Sequence, residues 1–267
     1  MVLFLFLTHL GLGIAFTLAF VPRQAGVKFF RFNAGLAAIL ILVGFSLRAP
    51  AIDRQSVSRV ALVSLLVAES ALVVYWATVG RALAAIRPAL IASWMVAGVV
   101  ALVSQALAVS AGYPFGMQAL TVASFLSSAA LLGGACTAMV LGHWYLILPS
   151  MEVSYLQSIV RLHIASLVVR VAVVAAAVLL AIAMSSPMQP RPGGGFGRYI
   201  TSIDGIFFWQ RVLFGLAGPA LLSYLTWETA KIRSTQSATG ILYVDFFTVV
   251  VGEVLAKYIL LATRVPV

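Results

Sequence analysis

Residues 157–184 read QSIVRLHIASLVVRVAVVAAAVLLAIAM, an apolar run with three ionisable side chains, Arg161, His163 and Arg170. A helix needs about 20 mostly apolar residues to cross the hydrocarbon core of a bilayer. This run is longer than that, so it predicts a membrane-spanning helix that tilts or projects beyond the bilayer.

Seven further runs of the same kind lie on both sides of this one. The eight predicted spans are 2–21, 29–47, 57–79, 89–110, 117–147, 157–184, 205–229 and 240–262. The connections between them are short, and the longest, 185–204, is so rich in Pro and Gly that we expect no helix there. We therefore expect residues 1–267 to form a single polytopic membrane domain, an all-α integral membrane bundle of about eight transmembrane helices without a soluble domain.

The composition excludes the other common classes of protein. Apolar residues make up 63% of the chain and charged residues 9%, whereas soluble domains have about 45–50% and about 25%. Soluble, disordered and disulfide-scaffold proteins are thereby excluded. The net charge of +10 is spread between the spans, which favours contact with anionic lipid headgroups of the bilayer and no binding of nucleic acid.

An even number of spans places both termini on one side of the membrane. The loops after the odd-numbered spans carry more Lys and Arg than the others, which predicts that they are cytoplasmic and that the termini are not. The first span has no positively charged n-region, so we expect it to be retained and not cleaved as a signal peptide. The predicted location is a bacterial inner membrane.

Ionisable side chains inside predicted spans are candidate functional residues. Each costs about 2.5–3.5 kcal/mol at the centre of a bilayer, so such residues are rare unless they have a role. The candidates are His9, Glu69, His143, His163, Arg170, Asp245, Glu253 and Lys257. Glu69, Asp245, Glu253 and Lys257 are interpreted as a proton path or as ion pairs, since Glu253 and Lys257 have the favourable i, i+4 spacing.

His143 and His163 are the most informative pair. They lie near the end of the fifth span and near the start of the sixth, so we expect both imidazoles at a similar depth. Two such histidines could bind a b-type haem as metal ligands, or they could bind quinone. Gly133, Gly134 and Gly142 would leave room beside a flat macrocycle. Directly packed helices are about 8–10 Å apart, which favours quinone over haem. The alternative is two interfacial histidines bonded to carbonyl or lipid headgroup oxygens.

His9 and Arg170 also have two interpretations each. His9 could bind quinone or act as a lone axial ligand, but a hydrogen bond between helices is favoured. Arg170 lies two helical turns after His163 and could bind a haem propionate or a quinone oxygen. We favour a pair between Arg170 and Glu69, because two central opposite charges reduce each other's burial penalty. Gly215, Gly218 and Pro219 predict close packing or a kink in the seventh span.

The segment VGEVLAKY at residues 251–258 resembles the last helix of DMSO-reductase-type (NrfD-like) membrane anchor subunits. The resemblance implies a quinol-facing anchor that passes electrons to peripheral redox proteins of the same complex. The metalloprotease, P-loop, nucleophile-elbow and Cys-x-x-Cys motifs do not occur in the sequence.

We therefore expect a membrane subunit of a respiratory or photosynthetic electron-transfer complex that handles quinone and, as a further option, haem b. On this hypothesis the chain is at most the anchor subunit of an oxidoreductase. Two alternatives stay open: a transporter or channel with a charged path, and a structural subunit embedded in lipid. Discontinuous helices near the bilayer midplane would favour transport.

Overall fold

The computed structural model describes residues 1–47, 56–81, 84–148, 152–184 and 195–267. Within these ranges the chain is helical and contains no strand. The α-helices are α1 (Val2–Leu18), α2 (Gly26–Ser46), α3 (Ser56–Thr78), α4 (Arg87–Val109), α5 (Phe115–Ile147), α6 (Val153–Ala183), α7 (Phe196–Thr201), α8 (Ile206–Val212), α9 (Gly218–Lys231) and α10 (Thr235–Thr263).

Seven helical segments in the described ranges are long and apolar enough to cross a membrane. They contain α2, α3, α4, α5, α6, the continuous segment Ile203–Lys231, and α10. This confirms an all-α integral membrane protein whose outer helices contact lipid. The remaining predicted span, α1, has 17 residues and is about 26 Å long at 1.5 Å per residue, slightly shorter than the hydrocarbon core of about 30 Å.

Helix α5 lies at the centre of the bundle. In the most apolar 18-residue stretch of α5, 83% is buried inside the bundle. The buried share of the corresponding stretch is 28–44% in the other six long segments. It packs against α1, α4, α6 and α10. Small residues in the middle of α5 permit this, because Gly, Ala and Ser let neighbouring helix backbones approach closely.

The closest approach joins α1 to α5. A Cβ atom on Gly13 would collide with the carbonyl oxygen of Ala129, and one on Gly133 would collide with the backbone of Gly13. One turn further, the hydroxyl groups of Thr17 and Thr137 are 2.5 Å apart. Gly133 is thus occupied by a helix contact, and the expectation that it leaves room for a macrocycle is wrong.

The seventh predicted span is a helix with one irregular turn. Residues Leu213–Ala217 form a π-helical turn between α8 and α9. Pro219 follows and has no N–H to donate back into that turn. A Cβ on Gly215 would collide with Gly252 of α10, so the predicted close packing and irregularity in this span are confirmed.

One expectation about the connections is wrong. Residues Phe196–Thr201, in the second half of the connection 185–204, form the short helix α7. Residues 185–194 lie outside the described ranges. The helix begins directly after Gly195, so the Pro-rich and Gly-rich part ends where α7 starts.

Candidate functional site

Glu253 of α10 is the centre of a buried cluster of charged side chains. Its carboxylate accepts hydrogen bonds from Arg170 of α6, at 2.9 Å from Nε and 3.1 Å from Nη2. Arg211 of α8 donates from Nη2 at 2.8 Å, and Lys257 lies at 3.3 Å. None of the four side chains is exposed by more than 2%. The cluster thus ties three helices together inside the bundle.

Arg170 uses its full hydrogen-bonding capacity in this cluster. Besides its two bonds to Glu253, Nη1 donates to the carbonyl and hydroxyl oxygens of Ser124, at 3.2 and 2.7 Å. Nη2 also donates to the main-chain oxygen of Val267 at 3.1 Å. A guanidinium group has five N–H donors, and each has an acceptor here. The prediction that Arg170 pairs with Glu69 is therefore wrong.

Glu69 lies apart from the cluster on α3, which packs mainly against α2 and α4. Its side chain is partly buried. Its Oε2 atom is buried and has no hydrogen-bond partner in the part of the chain that the structure describes. Packing, which sequence spacing does not reveal, places Glu253 and not Glu69 next to α6.

Ser128 of α5 connects the cluster to α1. Its hydroxyl donates to Glu253 Oε2 at 2.5 Å and accepts from Lys257 Nζ at 2.6 Å. His9 Nδ1 lies 3.3 Å from the same oxygen, and the His9 ring packs edge-on against Phe125. Both side chains of this contact are fully buried. The geometry matches the hydrogen bond between helices that was favoured for His9.

His163 and Asp245 form a second buried pair, between α6 and α10. Nε2 of His163 is 2.7 Å from Oδ2 of Asp245, and both side chains are completely inaccessible. Gly134 of α5 packs against His163, since a Cβ there would lie 3.3 Å from its Cα. The contact is a short ion-pair distance without hydrogen-bond geometry, since neither ring nitrogen of His163 and neither carboxylate oxygen of Asp245 has a hydrogen-bond partner within the described ranges. The partner of His163 is thus an acid and not a second histidine.

His143 does not share the depth of His163, so that expectation is wrong. His143 is exposed near the end of α5, and His163 contacts α5 at Gly134. Nine residues correspond to about 14 Å along a helix. Gly142 packs against Leu242 and Thr239 of α10. The residues present do not form the predicted bis-histidine haem site, and no group of three potential metal ligands occurs among the described residues.

His143 instead forms a pair with Tyr243 of α10. Their Nδ1 and hydroxyl atoms are 3.0 Å apart, and both side chains are exposed. Tyr243 lines a surface cleft of about 510 Å³ between the end of α5 and the start of α10. The cleft is lined by Tyr145, Leu146, Thr235, Gln236, Thr239, Gly240 and Tyr243. It places an imidazole beside a pocket with several hydroxyl groups.

Tyr145, one of the residues that line this cleft, is fixed by two hydrogen bonds to the main chain. Its hydroxyl donates to the carbonyl oxygen of Glu152 and accepts from the main-chain N–H of Leu156 at 3.3 Å. These bonds join the end of α5 to the start of α6. The position of the cleft is thus fixed by the contact between the two helices.

The sequence interpretation missed Arg211, Ser124 and Ser128. Arg211 carries the same signal that identified Arg170, an arginine within a predicted apolar span. Ser124 and Ser128 are four residues apart and so share one face of α5. Serine is common in transmembrane helices, so the sequence offers no signal that separates these two from the others.

No protein-family model matches the sequence, and no curated protein is similar to it.

Proposed function

We propose that this chain is a quinone-binding membrane subunit of an electron-transfer complex, with the cleft beside His143 and Tyr243 as the quinone site. The observation that carries the proposal is the pairing of an exposed imidazole and an exposed phenol at this cleft. The cleft lies between two apolar helices near one end of the bundle, where a lipid-soluble ligand can enter from the bilayer.

The chemistry of the lining suits a quinone headgroup. Quinone oxygens accept hydrogen bonds and quinol hydroxyls donate them, and the cleft offers hydroxyl groups from Tyr243, Thr235 and Thr239. Its volume of about 510 Å³ lies within the usual range of about 300–1,000 Å³ for ligand pockets. A neutral imidazole has one nitrogen that accepts a proton, so His143 can take up a proton from a quinol through Tyr243.

The proposal includes a partner. Within the described residues the structure shows helices of a membrane bundle and no second domain. We infer that electrons pass to or from peripheral redox subunits of the same complex, in line with the resemblance of residues 251–258. A haem b carried by His143 and His163 is not part of the proposal, because the two rings lie at different depths.

The membrane arrangement is also proposed. Helix α1 makes close contacts with α5 in the interior of the bundle, so we propose that it crosses as the eighth span, with local thinning of the bilayer around it. Both termini then lie on the non-cytoplasmic side of a bacterial inner membrane.

Calorimetric titration of the purified protein with a short-chain ubiquinone tests the site. Tyr243→Phe removes one hydroxyl, and the loss of one hydrogen bond weakens binding by about threefold to tenfold. Tyr224→Phe is the matched control, since Tyr224 is an exposed tyrosine on α9 that does not line the cleft. Equal affinity of the two variants, or no binding by the wild-type protein, would contradict the proposal.

One observation favours a second candidate, ion transport. The π-helical turn Leu213–Ala217 interrupts a spanning helix and begins two residues after Arg211, and π turns often occur at functional sites. If the buried charges form a transport path, proteoliposomes should show an ion flux that Arg211→Leu abolishes. An absence of flux in wild-type proteoliposomes rules out this candidate.

A further inference from the structure

The Glu253 cluster contains more positive than negative side chains. Arg170, Arg211 and Lys257 all contact the single carboxylate of Glu253, and all four side chains are buried. His9 on α1 is the other ionisable side chain next to Lys257. An uncompensated charge is unfavourable in the interior of a membrane protein. Loss of one positive charge from the cluster is therefore electrostatically favourable.

Only one of the three cations can lose its proton. Arginine stays protonated in proteins, whereas lysine exists both as an ammonium and as a neutral amine. Lys257 also has fewer fixed partners than Arg170, namely Ser128 and Glu253, with the ring of Phe125 at 5.6 Å. Lys257 is thus the group at which the charge of the cluster changes.

The hydroxyl of Ser128 is suited to either state of Lys257. It has one proton and two lone pairs, and it contacts Lys257, Glu253 and His9. When Lys257 is an ammonium, the lysine donates to Ser128 and the hydroxyl proton points to Glu253. When Lys257 is an amine, the hydroxyl can turn and donate to Nζ. Rotation of one hydroxyl group therefore accommodates both states.

We propose that Lys257 is a proton-loading site in the membrane interior, and that His9 and Ser128 form the relay that connects it. A proton arrives at Nε2 of His9, Nδ1 passes its own proton to Ser128, and Ser128 passes its hydroxyl proton to Nζ of Lys257. One proton is bound and the cluster gains one positive charge. Nε2 of His9 is buried and has no partner among the described residues, so it is free to receive the proton. This proposal uses residues other than those of the quinone cleft and does not depend on it.

The sequence offers a direct experiment, because the chain contains only three lysines, Lys28, Lys231 and Lys257. The first two are exposed. Solid-state NMR of protein labelled with ζ-¹⁵N-lysine in liposomes should show two ammonium signals and one amine signal. The amine signal should convert to an ammonium signal as the pH is lowered. Lys28→Arg and Lys231→Arg assign the spectrum without changing the buried cluster.

Ser128→Ala tests the relay, with Ser127→Ala as its matched control. Ser127 is a buried neighbour on α5 whose hydroxyl donates to the carbonyl oxygen of Ser124, its one side-chain hydrogen bond within the described ranges. Loss of the hydroxyl that accepts from the ammonium should move the midpoint of the conversion to lower pH by about one unit, while Ser127→Ala leaves it unchanged. Three ammonium signals at every pH at which the protein stays folded would overturn the proposal. Equal midpoints for both serine variants would overturn the relay.

Discussion

At the scale of single residues, Glu253 is the side chain on which the interior most depends. It contacts two arginines and a lysine at once, and removal of one partner of a buried ion pair leaves the remaining charge unpaired. An exposed pair shows the opposite case. Glu228 and Lys231 on α9 are about half exposed, and such pairs contribute about 0–1 kcal/mol.

Glu253→Gln should therefore lower the free energy of unfolding by about 3–5 kcal/mol. The matched control Glu228→Gln should lower it by less than about 1 kcal/mol. Steric-trap unfolding in bicelles measures both. Similar values for the two variants would show that the cluster is not a source of stability.

Substitution of Arg170 by lysine keeps the positive charge and changes only the geometry of the hydrogen-bond donors. Its five donors meet five acceptors on α5, on α10 and at Val267, and lysine offers three donors from one atom. Arg170→Lys should cost about 1–3 kcal/mol through acceptors left without a donor. Arg161→Lys is the control, because Arg161 contacts the Trp227 ring from the surface of α6. Steric-trap unfolding measures both variants. An equal loss of unfolding free energy in the two would show that the donor geometry of Arg170 does not contribute to stability.

At the scale of the helices, the packing depends on glycines at two contacts, Gly13 with Gly133 and Gly215 with Gly252. In both pairs a Cβ atom would overlap backbone atoms, so the helices would have to separate. Gly240 on α10 differs, because a Cβ there would have no atom within 4 Å. Helical glycines are thus not equivalent in this chain.

Gly13→Ala should destabilise the bundle by about 1–3 kcal/mol, the usual effect of overpacking. Gly240→Ala should stabilise it by about 0.5–1 kcal/mol, because alanine loses less backbone entropy in a helix. Unfolding free energies of the two variants should thus change in opposite directions. A loss of stability in Gly240→Ala as large as in Gly13→Ala would contradict the described contacts.

Run length and hydropathy were sufficient to predict the long apolar helices, but not the short helix α7 or the relative depth of the long ones. The sixth span was predicted to begin at residue 157, and α6 begins at Val153. His163 consequently lies one turn deeper than expected, while His143 lies only four residues before α5 ends at Ile147. A boundary error of one turn was enough to suggest a ligand pair that the structure does not form.

Partner choice was the other feature that the sequence could not reveal. The rarity of intramembrane charge identified Arg170, Glu253, Asp245 and His163 as important. Which acid faces Arg170 depends on which helices are adjacent, and α3 with Glu69 lies elsewhere. The Asp245–His163 and Glu253–Arg170 pairs form because α6 and α10 run in the same direction. The helix faces that carry these ionisable residues point towards each other.

At the scale of the whole molecule, the bundle buries one cluster of charged side chains and exposes many large apolar ones on its outer surface. Exposed Val, Leu, Ile and Phe residues cover α2, α3, α6 and α9, as expected for contact with lipid. The buried charged side chains and their hydrogen-bond partners lie between α1, α5, α6, α8 and α10. These five helices carry the buried charged cluster and the His163–Asp245 pair, and α2 and α4 pack against α1, while α4 also packs against α5.

The number of crossings gives a prediction at this scale. If α1 crosses the membrane with the other seven segments, both termini lie on the same side. Alkaline phosphatase and fluorescent-protein fusions at each terminus should then give the same topology. Reporters on opposite sides would show that α1 does not cross.

The central claim is that quinone binds between the end of α5 and the start of α10. A photoreactive azidoquinone, activated in liposomes and mapped by mass spectrometry, tests it most directly. We expect labelling of peptides that contain Tyr145 or Tyr243. Excess unlabelled quinone should suppress it, and it should be reduced in Tyr243→Phe but not in Tyr224→Phe. Labelling confined to other helices, or labelling that unlabelled quinone does not suppress, would contradict it.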